Sequence, residues 1–355
     1  MVSKKRTHKL EKLARVYDEE ILPVWSQRFG RMLLRDLELP ERCQILDLAC
    51  ATGYPAVEII RRMGAGSRFI AIDASSALLD VARRKVEEMG VRGVFFRSEN
   101  PGPRLPFADD VYDLVVCNLD LADMPDRAAA LADYARVAVP GGEVRCTLPL
   151  EGTFQEFHDI YREVLIKHDK VQTLARLDEH IAGTYPAAAE CEEWLKAAGL
   201  TGGRVEVQRF TMLFRSSREF FFAPVIEFGP LSAWKEIAGA GQEMQDIFWY
   251  IKEAIDAYFE GRAFAVTVVA GCLAGRKPGA MDDDETYETE RPDLAPAPGE
   301  SSTAPSMASV GPRDTLSGLA PPPAVPPQPP RRDTEEDVGL DVLVRGKPRP
   351  GHLEE

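Results

Sequence analysis

The chain of 355 residues lacks any apolar run of the length a membrane span requires. Its opening residues, MVSKKRTHKLEKL, lack the apolar stretch of a secretory leader, and both absences point to a cytoplasmic protein. The six cysteines, Cys43, Cys50, Cys117, Cys146, Cys191 and Cys272, show no CxxC spacing and fall mostly in apolar, strand-like runs. They read as reduced core thiols, and no metal site is expected. Positive charge is also scarce, with 43 Lys and Arg against 57 Asp and Glu and a formal net charge of -14. A chain of that sign repels phosphate backbones, so nucleic acid is not an expected partner. The one basic cluster, KKRTHK near the N-terminus, reads as a solvated helix start.

What is present is a composition 45% hydrophobic, enough to bury one large core or two moderate ones in a soluble globular protein. The C-terminal end departs from it. From about residue 277 the chain is acidic and then Pro-rich, with segments such as MDDDETYETE and PPPAVPPQPP, and holds roughly half of the 27 prolines. Residues 277–355 therefore read as a disordered tail with polyproline II stretches, a solubilising segment first, whose PxxP spacings also offer a contact to a protein partner. VGLDVLV, near the end, is a candidate docking segment.

Ahead of the tail, strand-like and helix-like segments alternate: CQILDL, a helix from about Tyr54, RFIAID, the helical ASSALLDVARRKVEEM, GVFFR, VYDLVVCNL, the helical DRAAALADYARVAV, a PGG turn and EVRCTLPL. Such alternation specifies a mainly parallel sheet with helices on both faces. Two longer strands, near 203–214 and 263–275, close the domain, helical insertions are expected at about 153–183 and 216–260, and a helical region precedes the first strand. In an open sheet of this type a ligand lies beyond the carboxyl ends of the strands, where their order reverses.

The first strand–helix turn, QILDLACATGYPAVEII over residues 44–60, is the place to look. Ala49, Ala51 and Gly53 let the backbone pass close to a ligand, and free N–H groups of the next helix point toward it. Pro55 suits the first turn of that helix. Asp47 decides between ligand classes. A carboxylate here would repel the pyrophosphate of a dinucleotide, and the G-x-G-x-x-G fingerprint is absent because Gly53 is the turn's only glycine. A ligand with a sulfonium and an ammonium would gain from the same carboxylate.

ILDLACATGY, FIAIDAS, LPFADDVYDLVVCNL and VAVPGGEV together resemble, in register, the motifs of the class I S-adenosylmethionine-dependent methyltransferases over about residues 42–150. The leading YDEEILPVW is similar to the first helices of quinone-type and carrier-protein-type small-molecule methyltransferases. The resemblance implies an α/β, Rossmann-like fold: a mostly parallel seven-stranded sheet, helices on both faces, an antiparallel last strand and helical lid insertions. It implies an N-terminal helical cap at 1–40, a methyltransferase domain at 41–276 and the tail at 277–355. It also implies S-adenosyl-L-methionine as cofactor. Ala49, Cys50, Ala51 and Gly53 would line its methionine and ribose portion, with Asp47 toward the ammonium and Asp73 on the ribose hydroxyls. Ala74 would touch the adenine, Glu99 or Asn100 would read its amino group, and Asn118 and Leu119 would flank the methyl.

Ala51 stands where the family usually has glycine. If that position takes positive φ, the alanine costs on the order of 1 kcal/mol. Methyl transfer needs alignment and exclusion of water, and a base only when the acceptor is poorly ionised. His158, Tyr161 and His180 in the insertions are the candidate catalytic residues, with Tyr185 and Asp120 beside them. The aromatic insertions GTFQEFHDIYREVL and REFFFAPVIEFGPLSAW suggest a small, hydrophobic or acyl-type acceptor. Two other readings stay open: a methyltransferase fold with little or no activity that serves binding or assembly, and a protein methyltransferase recruiting its substrate through the tail.

Overall fold

The computed structural model describes residues 2–99 and 104–279, with side chains from residue 8 onward. Asn100 and the tail from residue 280 lie outside the described residues. Helix α1 (Val2–Val16), a π-helical turn (Tyr17–Ile21) and α2 (Ser26–Leu33) lead into β1 (Gln44–Leu48), α3 (Ala56–Ile60), β2 (Arg68–Asp73), α4 (Ser76–Met89), β3 (Val94–Ser98) and β4 (Tyr112–Asn118). A 3-10 turn (Asp120–Asp123), α5 (Arg127–Val137) and β5 (Ala138–Pro149) follow, then α6 (Gln155–Lys167), α7 (Val171–Thr184), α8 (Ala188–Ala197) and β6 (Thr201–Phe214). The chain continues through α9 (Ser217–Phe222), α10 (Pro224–Glu227), α11 (Leu231–Ala238) and α12 (Gly241–Tyr258) to β7 (Phe264–Arg276).

The seven strands form one sheet in the order β3-β2-β1-β4-β5-β7-β6. Neighbours from β3 to β5 run parallel, while β7 runs antiparallel to both β5 and β6. The order reverses between β1 and β4, so a crevice opens beyond the carboxyl ends of these two strands. That is where Asp47 and Asn118 stand.

Strand alternation assigns each residue to a face. Leu46, Leu48, Val115, Cys117 and Cys146 face the core under α5 and α8. Ile45, Leu114 and Val116 face the larger core formed with α2 and the helical insertions. Asp47, Asn118 and Thr147 share that second face, beneath the cap and the insertions. All six cysteines are free and buried.

Two local expectations shift. The helix after the first turn begins at Ala56, with Pro55 as its N-cap, so the turn is longer than its sequence suggests. The PGG segment is not a separate turn, because β5 runs through it. There the pairing with β4 slips from Tyr112↔Ala138 to Leu114↔Glu143. Gly141, at φ 80, absorbs this bulge.

The cap is tied down at both ends. At the C-terminus of α2 the buried Arg145 guanidinium donates to the carbonyls of Leu33 at 2.8 Å, Arg35 at 2.6 Å and Asp36 at 3.1 Å, and pairs with Glu143 at 2.8 Å. A cation satisfies the unpaired carbonyls that a helix end leaves. At the other end Asn118 Nδ2 donates to the carbonyl of Ser26 at 3.2 Å. Among the described residues no helix is long and apolar enough to cross a membrane.

Candidate functional site: the turn after β1 and the aromatic cluster of the insertions

The turn after β1 is held by backbone and carboxylate contacts. Cys50 N–H donates to the carbonyl of Ile72 at 3.0 Å, and Gly53 N–H to that of Cys50 at 2.9 Å. Asp73, at the end of β2, accepts from Ala51 N–H at 2.9 Å and from Ser75 N–H at 2.8 Å, one bond on each oxygen. Ala51 takes the left-handed conformation considered for it, with φ 47, and Ala49, for which none was considered, takes it too, with φ 55. Gly53 has φ 96, and a Cβ added there would meet the Ala82 Cβ at 3.2 Å. That glycine lets α4 approach the turn.

Asp47 is fully buried, and neither of its carboxylate oxygens has a hydrogen-bond partner. Burial first, and then the nearby Asp73, push its pKa well above the ordinary carboxylate value. Beside it Thr52 is buried with its hydroxyl unpaired. Such groups are costly unless a ligand satisfies them. A cationic ligand with further hydrogen-bonding groups does so, and the ammonium, ribose and carboxylate of S-adenosylmethionine fit this donor and acceptor set.

The remaining expected cofactor residues divide by what their side chains do. Cys50 is buried in the core, its thiol 3.8 Å from the Ala51 carbonyl. Ala74 is exposed at the head of α4. Glu99 lies half-buried after β3, its N–H donating to the Asp73 carbonyl at 3.0 Å and its carboxylate 2.8 Å from Arg97 in an ion pair. Asn118 has its amide committed, its oxygen accepting from Thr147 Oγ1 at 2.7 Å while its nitrogen holds the cap. Leu119 follows at φ 80, its N–H reaching the Thr147 carbonyl at 3.0 Å. Asp120 has one carboxylate oxygen without a partner. Its pKa is pushed up to about 6, by burial first and then by Asp123 and Asp73.

Several residues at the site were not foreseen. The Tyr17 hydroxyl bonds Ser26 Oγ at 2.8 Å, and burial pushes its pKa up to about 12. Lys85 on α4 pairs with Asp18 and donates to the Thr52 carbonyl at 3.0 Å, pinning the π-helical turn onto the turn after β1. The YDEE of the leading segment carries two of these groups; nothing local in the sequence marks Lys85, Ser26 or Thr147.

Above the crevice stand the candidate catalytic residues. His158 is fully buried with both ring nitrogens unpaired, and burial lowers its pKa to about 3. Burial also lowers that of His180, whose Nδ1 lies 3.5 Å from Thr184 Oγ1. The Tyr161 hydroxyl donates to the Trp234 carbonyl at 3.0 Å, and burial raises its pKa. Burial raises that of Tyr185 too. His158, Phe154, Tyr185 and Trp234 pack ring to ring, and Trp25 of the cap stacks on Phe154 at 5.8 Å with 4° between planes. The structure thus packs His158 and Tyr185 into one buried aromatic cluster with Phe154 and Trp234, His180 lies on the neighbouring α7, and Tyr161 serves the backbone of α11.

A family model described as a methyltransferase domain matches residues 45–142. The demethylmenaquinone methyltransferase of Halalkalibacterium halodurans is 28% identical over 160 residues, covering 44% of this chain and 65% of that protein. The match therefore spans less than two thirds of that relative. The enzyme of the same name from Bacillus cereus is 26% identical over 212 residues, covering 57% and 88%. Among solved structures, YcgJ from Bacillus subtilis matches at 17% identity and a TM-score of 0.47, covering 72% of this chain and 100% of that one. Residues 45–142 thus carry a methyltransferase domain, and the turn after β1 lies within it.

Proposed function

We propose that this protein moves a methyl group from S-adenosylmethionine to a small, largely apolar acceptor held under the helical insertions. The observation that carries the reading is Asp47, a buried carboxylate without a donor at the strand switch point. In this reading Asp47 faces the ammonium, Asp73 accepts from the ribose hydroxyls, and the backbone of Ala49, Cys50, Ala51 and Gly53 follows the methionine and ribose. Ala74 and Glu99 lie toward the adenine; Asn100 is outside the described residues. The bound cofactor supplies an electrophilic methyl group, and the chain aligns the acceptor and keeps water out. Asn118 and Leu119 shape the floor through their bonds to Ser26 and Thr147.

Asp120 is the base we assign for an acceptor that must lose a proton. Its pKa near 6 suits proton removal at neutral pH, and it stands directly after Leu119. His158 suits that task poorly, since a pKa of about 3 leaves it a weak base. Tyr161 is a positioning residue. The aromatic content of the insertions supports an apolar acceptor, and because two relatives are demethylmenaquinone methyltransferases, a quinol ring is the specific candidate.

The test is transfer of labelled methyl from S-adenosylmethionine by the full chain to a panel of apolar phenols and quinols, acyl chains, polar amines and proteins. Turnover confined to apolar acceptors supports the reading; methylation of amines or proteins alone overturns it. A second reading, a fold that binds rather than catalyses, is favoured by the two left-handed alanines. Gain of turnover in Ala51→Gly from an inactive parent would select it.

A further inference from the structure

A cavity of about 330 Å³ opens on the cap side of the sheet, between the C-terminal end of α2 and strands β5, β7 and β6. The strand registers explain it. Arg145, Ala274 and Arg204 lie in one row across these three strands, and Thr147, Cys272 and Glu206 in the next. Ala274 and Cys272 are small and α2 ends at Leu33, so the floor stays open between the long side chains on either side. The floor is centred on β7, with β4 and β5 lying between it and Asp47 on β1, and it is therefore not part of the crevice at the switch point.

Guanidinium groups dominate the lining. Arg35, Arg145, Arg204 and Arg276 stand against three carboxylates, those of Asp36, Glu143 and Glu206. Glu143 is shared by Arg145 at 2.8 Å and Arg276 at 3.0 Å, while Glu206 pairs with Arg35. Arg145 is also committed to the carbonyls at the end of α2. Arg204 makes no hydrogen bond or ion pair among the described residues. Its charge still reaches the cavity floor: burial pushes the Cys272 thiol up to about 12, and Arg145 and Arg204 both oppose that rise. The cavity thus carries a surplus of positive charge in a chain whose formal net charge is -14. On a flat surface solvent alone would satisfy such a cation, but concave walls focus its field.

We propose that this cavity binds a small molecule through one oxyanion group, a phosphate monoester or a carboxylate, held by Arg204 and Arg276. A planar guanidinium presents paired N–H donors that match two oxygens of either group. Glu206 and Asp36 would repel a second anionic group and accept from hydroxyls, so the ligand is a hydroxylated mono-acid rather than a polyanion. Ligand clefts start at about 300 Å³, and the volume suits a metabolite rather than a peptide or a nucleic acid. The site stands independently of the methyltransferase reading.

The test is calorimetric titration of the full chain at constant ionic strength with glycerol 3-phosphate, glycerate and glycerol. One or both of the anions should bind and glycerol should not. Tighter glycerol 3-phosphate assigns the site to phosphate esters and tighter glycerate to organic acids; either upholds it. Arg204→Gln should weaken that binding about tenfold, the scale of a charge-assisted contact, and keep the thermal midpoint because no partner is lost. Glu206→Gln should tighten it about threefold by removing a like charge and releasing Arg35 from its ion pair. Arg209→Gln removes the same charge from an exposed position on the other face of β6 and should change nothing. Binding of neither anion overturns the proposal. So does an equal loss in Arg204→Gln and Arg209→Gln, or weaker binding in Glu206→Gln.

Discussion

The turn after β1 and the aromatic cluster of α6 and α11 both hold buried polar groups without partners, yet the two differ in charge. At the turn the orphans are mainly carboxylates, Asp47 and Asp120, with Asp73 close by; in the cluster they are imidazole and indole nitrogens. An orphaned carboxylate is satisfied by a cation, whereas an azole packed among aromatic rings stays neutral. In the proposed reading it is the carboxylate end that takes the cofactor.

The largest expected effect tests the charged end. Asp73→Ala frees the Ala51 and Ser75 N–H groups and, in the proposed reading, removes the ribose contacts, so cofactor affinity should fall several hundredfold, as hydrogen bonds to a charged group contribute about 1.5–3 kcal/mol each. Calorimetric titration measures it. Next comes Asp120→Asn, which should lower kcat on the order of 100-fold for an acceptor that must be deprotonated. In the parent the rate should rise as pH increases through about 6, because Asp120 must be ionised to take a proton. In the variant that limb should vanish from the pH profile.

Asp47→Asn sharpens the comparison in the opposite sense for stability. Because burial raises this pKa above its ordinary value of 3.8, folding favours the protonated form. The penalty is absent below the unfolded value and grows as pH rises through the folded one. The amide should therefore raise the thermal midpoint of the free chain at pH 7 to 8 and leave it unchanged near pH 3.5, in scanning calorimetry. The same change should weaken cofactor binding by about tenfold, the scale of one lost charged contact. The smallest effect belongs to Ala51→Gly, which relieves a left-handed alanine but adds unfolded-state entropy. Its net gain in stability should stay below about 1 kcal/mol, with affinity improved by less than tenfold.

Legibility in the sequence follows the same division. The parallel sheet, the switch point and the acids Asp47 and Asp73 could be read because short strand–helix turns and strand ends confine residue type locally. The left-handed backbone at Ala51 was legible for the same reason. The cap and lid were foreseen as helices but not in their attachments. Lys85 to Thr52, Tyr17 to Ser26 and Asn118 to Thr147 join residues far apart in sequence that meet only once the sheet is assembled. His158 illustrates the limit well. In sequence a histidine on an amphipathic helix reads as core, surface or base alike; its burial among Phe154, Tyr185 and Trp234 is visible only in the fold.

The central claim is that the orphaned carboxylate at the switch point waits for a cationic cofactor. Calorimetric titration of S-adenosylmethionine into the full chain and into its Asp47→Asn variant tests it most directly. The account predicts binding by the parent chain that the amide weakens by about tenfold, the scale of one lost charged contact. Absence of binding, or equal affinity in the variant, would contradict it.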